Sequence, residues 1–145
     1  MENVAPQGPV YVAGTFAGNP VSAAAGLAQI DVMCSDGNYA TLDRRSDRLV
    51  NSIRDTMADA GMRGCVNSVG SMFCIFYGID EVTNATQATR TDRAMGDRLF
   101  RYMLEHGVYV PPSALEDDFL SIAHTDEDVA QLEEAFKGFF SEVKG

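Results

Sequence analysis

Apolar residues recur by threes and fours over residues 38–60. Leu42, Leu49, Val50, Ile53, Met57 and Ala60 fall on one side of a 3.6-residue repeat, which predicts an amphipathic helix packed on one face. Arg44, Arg45, Arg48 and Arg54 share the other side with Asp43, Asp47 and Asp55, so that side reads as an exposed ion-pair face. The pattern returns between Thr91, read as a cap, and Gly107, read as a stop, with Met95, Leu99, Phe100, Met103 and Leu104 as the apolar stripe. A last helix opens at a Thr125 cap with Asp126, Glu127 and Asp128 in its first turn, where the helix dipole favours negative charge. It is expected to bury Val129, Leu132, Ala135, Phe136, Phe139 and Phe140.

One helical stretch breaks the one-sided pattern. From Val21 to about Met33, Ala23, Ala24, Ala25, Gly26, Leu27, Ala28 and Ile30 make the surface apolar around most of its circumference, which predicts a slim helix buried on several sides. Asn19-Pro20 sets its start: Asn caps free first-turn amides, and Pro at the first helical position lacks an N–H that would be orphaned there. Ser35-Asp36-Gly37 stops it. Upstream, Gly14 and Gly18 bracket Thr15, an arrangement that either presents a hydroxyl and amides to an anion or makes a plain tight turn.

Period-two runs supply the strands. Cys65–Val69 and Met72–Tyr77 flank Gly70-Ser71 as an antiparallel or glycine-bulged pair, and Val108–Val110 and Phe119–Ala123 read as two further short strands. Residues 1–8 and 79–88 carry no periodic signal and read as polar connections. The order is loop, helix, helix, strand, strand, helix, strand, strand, helix. This predicts an α+β fold, a small, mainly antiparallel sheet covered by helices.

Composition narrows the partners. The 145 residues are 46% hydrophobic and 22% charged, enough for a real core, and 21 acidic against 11 basic residues give a net charge of −10. That balance opposes nucleic acid and anionic membranes as partners, since both require clustered Lys and Arg. No apolar run reaches the roughly 18 to 20 residues of a membrane span, and a cytoplasmic location is expected. Cys34, Cys65 and Cys74 are odd in number and set among apolar residues, so they read as buried thiols. His106 and His124 have no neighbour at ligand spacing, and no metal site is expected.

Three segments together resemble a known family. VYVAGTFAGNPVSAAAGL (Val10–Leu27), VGSMF (Val69–Phe73) and GVYVPPSALEDDFLSIAHTDED (Gly107–Asp128) are similar, in order and spacing, to the C-terminal portion of the glutamate-1-semialdehyde 2,1-aminomutases, class III pyridoxal-phosphate aminotransferases. The resemblance implies that residues 1–20 are a phosphate-loop segment belonging with a large cofactor domain, and that residues 21–145 are the C-terminal small domain with its leading helix. It implies that Gly14 and Thr15 bind the phosphate of the opposite subunit's pyridoxal or pyridoxamine phosphate in a homodimer. Glu116 would handle the amino groups of intermediate and product near the substrate entrance, and Ser113 would shape the same loop. Read without the resemblance, Glu116 is a solvated loop carboxylate and Ser113 a turn residue. Leu115, Asp117-Asp118 and Phe16-Ala17 depart from the family pattern and leave the exact substrate open.

Such enzymes need a lysine to form the Schiff base with the cofactor. The only lysines here are Lys137 and Lys144, in an amphipathic surface setting. The chain therefore reads as a piece of an enzyme, separated by truncation, proteolysis or a split gene. Alone it is expected to be inactive and to hold no cofactor. Two other readings stay open: part of a class III aminotransferase acting on another amino acid or ω-amine, and a stand-alone, non-catalytic α+β module.

Overall fold

The computed structural model describes residues 1–35 and 37–144. Asp36, part of the expected helix stop, lies outside them. The chain divides into two compact units, Met1–Asn38 and Tyr39–Gly145.

The first unit consists of turns followed by one helix. Val4, in the stretch that carried no sequence signal, forms an isolated bridge with Val10. Helix α1 spans Pro20–Met33, and Asn19 Oδ1 accepts from the Val21 and Ser22 amides at 3.0 and 3.1 Å, the cap expected from Asn-Pro. The expected burial does not occur. α1 buries none of its residues, and Val21, Leu27, Ile30 and Val32 are each more than half exposed. The rest of its own unit is turns and one bridge, which cannot cover a helix that is apolar on every side.

The second unit holds the core. Helix α2, Asn38–Asp59, buries Leu42, Ser46, Leu49, Val50, Ile53 and Met57. It ends where Gly61 takes φ +66° and the Met62 amide reaches back to Met57 O at 2.9 Å, a closure that L-residues with a Cβ rarely adopt. Strands β1 (Gly64–Val69) and β2 (Met72–Tyr77) pair antiparallel through Gly70-Ser71, with Cys65 opposite Phe76 and Val69 opposite Met72. Strand β3, Asp118–Phe119, adds antiparallel to β2 with Asp118 opposite Phe73, giving the order β1-β2-β3. Alternation sends Val66, Phe73, Ile75 and Tyr77 to one face and Cys65, Cys74 and Phe76 to the other, where Val82 covers the last two.

Helix α3, Ala85–Ala88, is a short turn capped by Asn84 in the segment expected to be a plain connection. Helix α4, Arg93–Glu105, buries Leu99 and Met103 of its expected stripe, but Leu104 stays exposed. Its cap is Asp92, which accepts from the Met95 amide at 3.2 Å; Thr91 is buried, and its Oγ1 accepts from the Tyr77 amide at 2.9 Å. Helix α5, Asp126–Lys144, begins in a reciprocal box: the Asp128 amide donates to Thr125 Oγ1 at 3.2 Å and the Thr125 amide donates to Asp128 Oδ2 at 2.7 Å. Its Phe136, Phe139 and Phe140 are among the most buried side chains of the chain, and each contributes on the order of 2–3 kcal/mol by burial. Leu132 is only partly buried, and Glu133 takes a buried place beside it.

Three further expectations fail for identifiable reasons. Val108–Val110 is not a strand, because the Val108 amide closes α4 on Met103 O at 2.8 Å and the following prolines have no N–H to pair. The strand expected over 119–123 shrinks to Asp118–Phe119, because Ser121 turns back and its amide donates to His124 Nδ1 at 3.0 Å. Among the described residues the α2 arginines form no ion pair along their own helix. Arg45 reaches Asp126 at 2.7 Å, Arg48 holds Glu133 through two bonds of 2.9 and 2.6 Å, and Arg54 donates to Val66 O at 2.8 Å. Of the three thiols Cys74 is buried, Cys65 half-buried and Cys34 exposed at the end of α1.

Candidate functional site

The loop from Val110 to Asp118 is the best-built candidate site, and two close approaches hold it. A Cβ added to Gly96 of α4 would lie 2.5 Å from Ala114 Cβ, so only glycine lets the loop sit this near the helix. On the sheet side, Cys74 Sγ lies 3.5 Å from Glu116 O as a weak donor. Burial pushes the Cys74 thiol up to about 12, with Asp117 and Asp118 adding to it, so it stays protonated and inert. Within the loop, Ser113 Oγ accepts from the Leu115 amide at 3.3 Å and Ser113 O from the Glu116 amide at 3.1 Å. Ser113 thus shapes the turn that presents Glu116, whose side chain is exposed.

Beneath the loop lies a cavity of about 30 Å³, lined by Ile75 and Tyr77 of β2, Gly96 and Leu99 of α4, the loop itself, and Asp118. Burial pushes the Asp118 carboxyl up to about 7, and the Asp117 charge adds to the effect. Burial also raises the Tyr77 phenol, with smaller contributions from Asp118 and Cys74. Sequence reasoning missed Tyr77 and Cys74 as part of this site. Asp118 stood out only as a departure from the family pattern, and nothing in strand spacing tells which face of β2 a later loop will cover.

Gly14 and Thr15 lie in the other unit. Both are exposed, and the Ala17 amide closes a turn on Gly14 O at 2.9 Å. An exposed hydroxyl in a turn between glycines fits a phosphate group. The two lysines lie on α5: Lys137 pairs with Glu134 at 2.8 Å, and Lys144 Nζ donates to Asp59 O. Among the described residues no group of three or more His, Cys, Asp or Glu could hold a metal, and no helix is long and apolar enough to cross a membrane.

No family model matches the chain. Curated relatives do. It is 43% identical over 145 residues to glutamate-1-semialdehyde 2,1-aminomutase of Methanopyrus kandleri, matching 100% of this chain and 34% of the relative. It is 43% identical over 136 residues to the enzyme of that name from Thermus thermophilus, matching 93% of this chain and 32% of the relative. The crystal structure of a glutamate-1-semialdehyde-aminomutase from Pseudomonas aeruginosa PAO1 shares the fold, with a TM-score of 0.78 at 18% identity over 93% of this chain and 31% of that one. So does an omega-transaminase from Sphaerobacter thermophilus, with a TM-score of 0.75 at 23% identity over 95% and 32%. The chain thus spans about a third of the length of the proteins it matches. Matched from end to end at that identity, the chain is related to a segment of the glutamate-1-semialdehyde 2,1-aminomutases that makes up about a third of their length.

Proposed function

We propose that this chain contributes the C-terminal small domain, residues 21–145, and the preceding phosphate-loop segment, residues 1–20, to a cytoplasmic, homodimeric glutamate-1-semialdehyde 2,1-aminomutase. The observation that carries this reading is the end-to-end match to enzymes of that name. The reaction would move an amino group between neighbouring carbons of a short amino-aldehyde and yield 5-aminolevulinate for tetrapyrrole synthesis. When bound, pyridoxal phosphate supplies the electron sink for such chemistry. This chain's own part is to hold and orient. Gly14 and Thr15 bind the cofactor phosphate of the opposite subunit, Ser113 sets the turn, and Glu116 handles the amino groups of intermediate and product near the substrate entrance.

The magnitudes say what must come from elsewhere. A hydrogen bond from Thr15 to a charged phosphate is worth about 1.5–3 kcal/mol. A millimolar dissociation constant already requires about 4 kcal/mol, and both lysines of the chain are committed on α5. The amine that anchors the cofactor therefore belongs to a separate part of the enzyme, and the 145-residue chain alone is expected to be colourless and inactive.

Mixing the chain with a separately made N-terminal two-thirds of the Methanopyrus kandleri relative tests the reading. 5-Aminolevulinate formation is expected from the mixture and from neither part alone, and Thr15→Ala in the chain should weaken cofactor retention. Turnover by the chain alone, with Lys137 or Lys144 labelled by borohydride reduction, would overturn it. A second reading, an aminotransferase of the same class, draws on Leu115 and Asp117-Asp118 in the substrate loop. It predicts amino transfer to a keto acid with no 5-aminolevulinate from the same mixture.

A further inference from the structure

Tyr77 is 3% exposed, and its hydroxyl is the one buried side-chain polar atom among the described residues that finds no hydrogen-bond partner. Leaving such a group unsatisfied costs on the order of 1–3 kcal/mol, so its surroundings call for an explanation. The Tyr77 main chain is held in place by Thr91 Oγ1, which accepts from its amide at 2.9 Å. Together with Asp118, Tyr77 lines the cavity under the Glu116 loop. Both residues belong to one face of the sheet, since Asp118 stands opposite Phe73, and Phe73, Ile75 and Tyr77 alternate onto that face.

The titratable groups around Asp118 are all acids, and none is a cation. Glu116 and Asp117 precede it in the loop, β2 offers the Cys74 thiol and the Tyr77 phenol, and α4 presents only Gly96 and Leu99 to the cavity. Among the described residues no cation pairs with Asp118. A partly buried carboxyl in such a place is stable as the neutral acid, which has a proton to donate. The cavity, at about 30 Å³, exceeds the roughly 10–15 Å³ that one water needs.

We propose that Asp118 is a positioning residue for Glu116: as the neutral acid it bridges the cavity to the Tyr77 hydroxyl through one water and holds the loop down on α4. Ionised, Asp118 is repelled by Asp117 and turns toward solvent, and the loop with Glu116 lifts from Gly96. The role given to Glu116 rests on the function proposed above. The bridge itself does not.

The test has two arms. In the 145-residue chain, carbon-detected NMR across pH ~5 to ~9 is expected to show the Asp118 carboxyl, the Tyr77 ring and the Glu116 amide inflecting at one midpoint, near 7. Asp118→Asn, which stays neutral, should flatten the Tyr77 and Glu116 curves. No common inflection, or one that persists in Asp118→Asn, overturns the proposal. In the reconstituted enzyme, Asp118→Asn should turn over about tenfold faster than the parent one pH unit above the midpoint, because only about a tenth of the parent is then protonated. An unchanged pH profile also overturns the proposal. Absence of turnover in every variant, with the NMR coupling intact, supports the bridge and instead overturns the aminomutase reading.

Discussion

Helices α1 and α5 are both rich in apolar residues, yet α1 buries none of them while α5 buries Val129, Ala135, Phe136, Phe139 and Phe140. The difference lies in arrangement. α5 gathers its apolar residues on one face that the second unit can cover, whereas α1 spreads small apolar residues around its whole circumference. A one-sided helix can be completed by its own domain, but an all-round one needs neighbours on several sides. Apolar composition therefore marks where burial is required, and pattern tells whether the chain itself can supply it.

The comparison is sharpest under core truncation. Phe136→Ala is expected to cost about 3–5 kcal/mol in chemical denaturation, through lost burial and the cavity left behind. A cost below 1 kcal/mol would mean that α5 is no better covered than α1. Gly96→Ala should cost about 1–3 kcal/mol and displace the Ser113–Asp118 loop, because its Cβ would meet that of Ala114 at 2.5 Å. Chemical shifts of Glu116 unchanged by this substitution would show that the loop does not rest on α4.

The pH dependence follows from groups within the second unit. The raised Asp118 carboxyl binds its proton more tightly folded than unfolded, so its contribution is full at low pH and is lost as pH rises from about 4 to about 7. Hydrogen bonding to Arg45 lowers the Asp126 carboxyl, and bonding to Thr125 lowers Asp128, so their contributions are present above the ordinary value of 3.8 and are lost as pH falls. Denaturation midpoints should therefore decline on both sides of a mildly acidic maximum, and Asp118→Asn should remove only the decline toward neutral pH. The smallest effect belongs to α1. Ile30→Ala in the 145-residue chain should change stability by no more than about 0.5 kcal/mol, the range for exposed positions.

The fold was legible in the sequence wherever period and punctuation agreed. Asn19-Pro20, Gly61, Gly70, Gly107 and Thr125 mark ends that the structure keeps, because each meets a local backbone requirement that no distant contact overrides. Val108–Val110 and Phe119–Ala123 read as strands but mostly are not. Their alternation reflects a buried Val110 and Leu120, while their amides are taken by local closures that no periodicity encodes. The candidate site was half legible. Ser113 and Glu116 were identified through a resemblance, but the cavity beneath them depends on Tyr77 and Gly96, which lie 39 and 20 residues before Glu116.

Hydrogen exchange, resolved by residue on the 145-residue chain, tests most directly the claim that the second unit is complete in itself and α1 is not. An isolated helix of about 14 residues is marginal in water, so α1 amides are expected to exchange faster than those of α5 by a factor on the order of 100 or more. Adding the N-terminal two-thirds of a relative should slow α1 and leave α5 unchanged. A monodisperse monomer in sedimentation whose α1 is as protected as α5 would contradict the account.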